Sequence, residues 1–199
     1  DLEKSLVGHT SWIRSVTFAP DGRFVISAGN DATAILWDVE HERMARVYQG
    51  HHHVVTHAVV SSQGRYALSG SIDQRAVLWD RDTAQPLRVL SGHRDTIFAV
   101  AFVDGGPYAI TASADHTLAL WDFETGRRLT TFTGHTDFAL SVAIAPDGRF
   151  FVSSGQDKTI RLWPMPLLPK SGTTPVKSGR IAGVSDTVYV NGGEPQRIY

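Results

Sequence analysis

The sequence predicts an all-β chain made of four blade-like units, each of four antiparallel strands, forming a β-propeller or an arc of one. Three observations predict it. Gly-His pairs stand at Gly8-His9, Gly50-His51, Gly92-His93 and Gly134-His135; a tryptophan follows each histidine by 28 residues, at Trp37, Trp79, Trp121 and Trp163; and the pattern returns every 42 residues. Self-similarity at a period of about 40 to 45 residues marks a four-stranded blade. A β-sandwich with regularly spaced turns would not bring identical residues back at identical intervals.

Within the first unit, Ile13 to Phe18 alternates apolar and polar side chains, Ala19-Pro20-Asp21-Gly22 supplies a turn, and Phe24 to Ala28 is strand-like again. That pattern predicts a β-hairpin. The turn glycine recurs as Gly22, Gly64, Gly106 and Gly148, where a positive φ suits glycine alone. After the polar turn Gly29-Asn30-Asp31, a third strand is expected over Thr33 to Trp37 and a fourth over Met44 to Tyr48. Shifting these positions by 42 carries the pattern through Trp163, with strands of about five residues and loops of about two to six. No window is left for a helix.

Composition narrows the function classes. The 199 residues carry 19 Lys plus Arg against 20 Asp plus Glu, a net charge of -1, and no run of like charge suited to a polyanion. Nucleic acid is therefore not the expected partner. With no cysteine, disulfides, thiolate zinc sites and cysteine nucleophiles are excluded; the compartment stays open, with the cytoplasm favoured. No apolar run approaches the roughly 18 residues of a membrane span, so no membrane insertion is expected. The amino terminus lacks the basic start and apolar core of a signal peptide, although Asp1 starts partway through a repeat, which leaves room for a targeting segment upstream. No cofactor is expected.

Residues 1 to 168 resemble the WD-repeat β-propeller family, through the coincidence of Gly-His, the Asp-Gly turn, the Ser/Thr-to-Asp spacing and Trp-Asp (Trp37-Asp38, Trp79-Asp80, Trp121-Asp122). The resemblance implies a buried hydrogen-bonded chain in each blade. The matching sets are His9, Ser27, Asp31 and Trp37; His51, Ser69, Asp73 and Trp79; His93, Thr111, Asp115 and Trp121; and His135, Ser153, Asp157 and Trp163.

Serine, histidine and aspartate in one unit also suggest a hydrolase, since nucleophile, base and orienting carboxylate are the parts of acyl transfer. Four equivalent copies, each with a tryptophan whose indole N–H can donate to the hydroxyl, favour a structural role instead. No catalytic residue is assigned. His51-His52-His53 with His57 raises the question of a metal. Four residues of strand span about 13 Å, too far for His53 and His57 to share an ion at about 2.1 Å, so no metal site is expected and His52 and His53 read as solvent-facing loop residues.

The resemblance further implies a partner-binding face, formed by the start of each first strand and the residue before each network aspartate. Carried over by period, those positions are Trp12, Arg14 and Asn30; Val54, Thr56 and Ile72; Thr96, Phe98 and Ala114; and Phe138, Leu140 and Gln156. They vary from unit to unit, as a surface for one partner should. Aromatic residues and arginine are enriched at binding hot spots, which singles out Trp12, Arg14, Phe98 and Phe138, with Ile72 and Leu140 adding apolar area.

Leu2 to Leu6 aligns with the fourth strands and is expected to complete a blade whose inner strands lie elsewhere. Either it seals a four-bladed ring against Thr159 to Trp163, or the chain is an arc of a larger propeller. The arc is favoured, because rings of this family typically have more blades. An open arc leaves edges that invite self-association. In the last unit Pro164 replaces the aspartate and Pro166 and Pro169 follow, so its fourth strand is expected to be missing. Residues 169 to 199 read as a Pro/Gly/Ser-containing linker and tail with a short hairpin over Arg180 to Val190. The expected function is a non-enzymatic scaffold binding a protein or peptide on the propeller face; the other reading is a regulatory or targeting portion of a larger enzyme or electron-transfer protein.

Overall fold

A computed structural model of the chain describes residues 5–168, which hold fifteen strands and no helix. All fifteen lie in one compact unit, Asp1–Met165. The first sheet comprises β1 (Ile13–Phe18), β2 (Phe24–Gly29), β3 (Thr33–Asp38) and β4 (Arg43–Gln49). The second comprises β5 (Val55–Val60), β6 (Tyr66–Ser71), β7 (Arg75–Asp80) and β8 (Pro86–Ser91), and the third β9 (Ile97–Val103), β10 (Tyr108–Ser113), β11 (Thr117–Asp122) and β12 (Arg127–Thr133). The fourth has β13 (Ala139–Ile144), β14 (Phe150–Gly155) and β15 (Ile160–Pro164), with no fourth strand among the described residues. Each sheet is an antiparallel meander in chain order.

The chain turns the same way in every unit. Ala32, Gln74, His116 and Lys158, each directly after a network aspartate, hold positive φ of 62° to 70°. These non-glycine residues accept a sterically disfavoured conformation because the aspartate side chain ties down the turn, as shown below. The hairpin glycines Gly22, Gly64 and Gly148 are left-handed as expected, with φ of 66°, 68° and 68°. In the third unit the left-handed residue is Gly105 (φ 91°) rather than Gly106. A Cβ on Gly106 would lie 2.6 Å from the Tyr108 ring, so that glycine answers a close contact, and β9 runs one residue longer than its counterparts in the other sheets.

Packing between sheets follows a rule that also repeats. Ala58 and Val60 on β5 pack against Ile26, Ala28, Ala34 and Leu36 of the sheet before; Val100 on β9, with Phe102 beside it, packs in the same way against Leu68, Ala76 and Leu78. The first strand of each sheet thus meets the second and third strands of its predecessor. Leu36, Leu78 and Leu120 occupy one repeat position and are 2%, 2% and 1% exposed. Leu162 occupies the same position in the fourth sheet and is 66% exposed.

Sheets meet first to second, second to third and third to fourth. The outward surfaces of the first and fourth remain open, so the described residues form an arc. Ser5 and Leu6 are not in a strand, in contrast to the strand expected over Leu2 to Leu6, and residues 1–4 lie outside the described residues. Leu6 nonetheless packs on Val25, Ile35 and Trp37, just as Tyr48, one period on, packs on Trp79 with ring centroids 5.7 Å apart. The tail and hairpin expected over 169 to 199 lie outside the described residues.

Candidate functional site: the blade networks and the face they hold

The four polar sets close into nearly identical chains. Histidine Nδ1 lies 2.8, 2.9, 2.8 and 2.8 Å from the aspartate Oδ2 in successive units. Nε2 lies 2.7, 2.8, 2.7 and 2.8 Å from the Ser or Thr hydroxyl. With Nδ1 donating to the carboxylate, Nε2 accepts the hydroxyl proton. The indole N–H of Trp37, Trp79, Trp121 and Trp163 donates to that same oxygen at 2.8 to 2.9 Å.

Each aspartate is held from further directions. The amide after the histidine donates to Oδ2 at 2.9 to 3.1 Å, and the amide two residues after the aspartate donates to Oδ1 at 3.1 to 3.2 Å. Thr33, Thr117 and Thr159 add their hydroxyls at 2.8, 2.6 and 2.8 Å. These threonines were not singled out from the sequence, although they stand at one repeat position; Arg75 interrupts the set. Burial raises the carboxyl pKa of Asp31, Asp73, Asp115 and Asp157, and these hydrogen bonds lower it by more, so all four stay ionised well below the usual range. Burial lowers the pKa of His51 despite its bond to Asp73.

This geometry gives the hydroxyls no room for nucleophilic work. Ser27, Ser69, Thr111 and Ser153 are 2%, 1%, 0% and 1% exposed. An acyl carbon would have to approach an oxygen already bonded to imidazole and indole. The chain's physical effect is to fasten the loop carrying the histidine to the turn carrying the aspartate, across the end of the sheet.

That end of each sheet is the expected face. The amides of Asn30, Ile72, Ala114 and Gln156 donate to the carbonyls of Trp12, Val54, Thr96 and Phe138 at 2.8, 3.1, 2.8 and 2.8 Å. The structure therefore brings together, in every unit, the two segments assigned to the face. Their side chains differ in access. Trp12 is 75% exposed, with the Arg14 guanidinium 5.9 Å from its ring centroid and Arg14 Nε donating to Asn30 Oδ1. Leu140 and Gln156 are exposed, while Val54, Ile72, Phe98 and Phe138 are half-buried. Thr96 is buried, and the Thr56 hydroxyl is bonded to the carbonyls of Gly70 in its own sheet and Ile97 in the next, so Thr56 ties the second sheet to the third.

Phe98 and Phe138 come from neighbouring sheets and approach to 6.0 Å between centroids; His116 meets Phe138 edge-on at 5.9 Å. His116 was missed, because its repeat equivalents Ala32, Gln74 and Lys158 give no hint of an aromatic site. Of the other histidines, His52 and His53 are exposed. His57 is enclosed between sheets, where its Nδ1 accepts the Val100 amide at 3.3 Å and burial holds its pKa below that of free imidazole. Among the described residues, no three His, Cys, Asp or Glu side chains are grouped to hold a metal, and no helix is long and apolar enough to cross a membrane.

Repeated four-stranded sheets, stacked in an arc and each fastened by an Asp–His–Ser/Thr–Trp chain, define a β-propeller repeat protein. The family model "WD domain, G-beta repeat" matches residues 1–38, 42–80, 84–122 and 126–164, and the chain belongs to that family. It is 56% identical over 36 residues to the nuclear distribution protein PAC1 of Arthroderma otae, a match spanning 18% of this chain and 8% of the relative. To the nuclear distribution protein PAC1-1 of Uncinocarpus reesii it is 37% identical over 57 residues, 28% of this chain and 13% of the relative. The matches thus span a small part of those proteins. A solved structure titled "Structure of U3-55K" superposes with a TM-score of 0.76 at 29% identity, covering 81% of this chain and 51% of that one. WD-repeat proteins generally serve as protein-interaction scaffolds.

Proposed function

We propose that this chain is a non-enzymatic scaffold that binds a protein or peptide on the face formed by Trp12, Arg14 and Asn30 together with Phe98, Phe138, His116 and Leu140. The observation that supports it most is the contrast within each unit: the network residues are the same and enclosed, whereas the residues they hold in place differ from unit to unit and include an exposed tryptophan stacked by an arginine. The networks prepare the face. With loops fastened by buried bonds, a partner meets anchors already in position, which lowers the entropic cost of association. Aromatic and arginine side chains suit such anchors, because they offer large contact area with few torsions to freeze.

Peptides selected on the intact chain from a displayed library provide the test. The double variant Trp12→Ala with Phe138→Ala is expected to lose about 30-fold or more in affinity, the effect of removing a hot spot of about 2 kcal/mol, with an unchanged far-ultraviolet circular dichroism spectrum. Arg149→Ala, in the hairpin turn at the other end of the fourth sheet, should leave binding intact. Peptides that bind both variants as tightly as the parent would reject this face.

A further inference from the structure

The first sheet holds a polar cavity at its hairpin end, away from the Trp12 face. It measures about 290 Å³ and is lined by Arg23, Arg43 and Arg46, by Asp38, and by the apolar Phe24 and Leu36. Three arginines around one small cavity call for an explanation from their partners.

Asp38, only 2% exposed, organises two of them. The His41 amide donates to its Oδ1 at 3.2 Å, and His41 Nδ1 lies 3.0 Å from its Oδ2. Asp80 and Asp122 close the corresponding turns of the next two sheets through the amides of turn residues. Arg23 Nη2 and Arg43 Nη2 stand 3.6 and 3.8 Å from Asp38 Oδ2, close enough for attraction and too far for a hydrogen bond. The carboxylate thus positions both guanidiniums without taking up their donors. Arg23 is further fixed by stacking, with its Cζ 5.2 Å from the Phe24 ring centroid. Arg46 is held by two carbonyls, its Nε donating to Asp82 and its Nη1 to Ala45. Asp82 also borders the cavity, but its carboxylate already accepts Arg81 Nε at 2.9 Å.

The repeat shows that this concentration of charge is no requirement of the blade. The equivalents of Arg23, Arg43 and Arg46 are Arg65, Gln85 and Arg88 in the second unit and Pro107, Arg127 and Thr130 in the third. The carbonyl brace recurs, Arg88 Nε donating to the Glu124 carbonyl at 3.1 Å, so Arg46 has a structural duty as well. Only the first of these units brings all three arginines together.

We propose that this cavity binds a phosphate monoester. A carboxylate would offer the three guanidiniums two oxygens and one charge, whereas a phosphate monoester offers three strong acceptor oxygens and nearly two charges. The planar fork of arginine matches those oxygens in pairs. The volume lies at the lower edge of small-molecule pockets, about 300 to 1,000 Å³, and suits a phosphate on a short carrier better than a nucleotide.

Calorimetric titration of the intact chain with inorganic phosphate, at constant ionic strength, tests the proposal. Saturable binding to one site is expected. Arg43→Gln introduces the residue that the second unit already carries there, and should weaken binding about tenfold or more, the loss of one charge-assisted bond. Arg127→Gln makes the same charge change at the equivalent place in the third sheet and should leave binding unaltered. Both variants should keep the parent's circular dichroism spectrum. Glycerol 3-phosphate binding that Arg43→Gln weakens would assign the group to a free ester; co-sedimentation with phosphatidic acid vesicles that Arg43→Gln abolishes would assign it to a lipid headgroup; either supports the site. Absence of saturable binding, equal weakening by the two variants, or succinate binding as tightly as phosphate would each overturn the proposal. Peptide binding at the Trp12 and Phe138 face is a separate readout, so failure of one proposal leaves the other standing.

Discussion

The second and third sheets differ from the first and fourth in surroundings far more than in sequence. Leu120 and Leu162 are the same residue at the same repeat position, yet one is enclosed and the other open to water. His93 and His135, by contrast, are both 6% exposed with the same hydrogen bonds. The lesson is that a repeat carries two kinds of residue. Polar networks are complete within one blade and insensitive to its place in the arc. Apolar stacking positions acquire their value only from a neighbour.

The largest expected effect follows from the first kind. His93→Ala leaves Asp115 and Thr111 without their imidazole partner, and each stranded group costs about 1 to 3 kcal/mol. Because the network is self-contained, His135→Ala should cost a similar amount in the end sheet. Urea unfolding of both variants checks this. A markedly smaller loss at His135 would mean that network strength, too, depends on a neighbouring blade.

A smaller effect distinguishes the interior through pH. His51 and His57 both belong to the second sheet, and burial depresses both pKa values. The unfolded chain binds protons near pH 6.5 while the folded chain does not, so stability is full above about 6.5 and declines as the pH falls below it. The four network aspartates act in a lower window. Their folded pKa values are depressed, so their contribution is present above about pH 3.9 and is lost as the pH falls toward the folded values. Urea midpoints measured down the pH scale should therefore fall in two stages. His57→Ala should flatten the upper stage, since Ser15, Ala99 and Ser141 fill that repeat position elsewhere; an unaltered profile would remove His57 from it.

Much of this was legible in the sequence. The strand at Ile13 to Phe18 was predicted to the residue, because alternation and an Asp-Gly turn report local geometry, and the four network sets were implied by the resemblance to the WD-repeat family. The hairpin glycine of the third unit was misplaced by one, since Gly105 and Gly106 are adjacent and only the Tyr108 ring distinguishes their roles. At the expected face, the resemblance carried over by period assigned both segments but not access: Thr96 is buried, and the Thr56 hydroxyl is spent on the carbonyls of Gly70 and Ile97. His116 was missed because its closeness to Phe138 arises from stacking of two sheets, which no single repeat encodes. Leu6 keeps the packing expected of its repeat position because that contact is made within the first sheet, while Ser5 and Leu6 show no strand among the described residues.

The most direct test of place against identity compares Leu120→Ala with Leu162→Ala in the same chain. Equilibrium urea unfolding should show a loss of about 2 to 5 kcal/mol for the enclosed leucine and a change within about 0.5 kcal/mol for the exposed one. Equal losses at the two positions would contradict the claim that stacking, rather than the residue itself, gives these repeat positions their stabilising role.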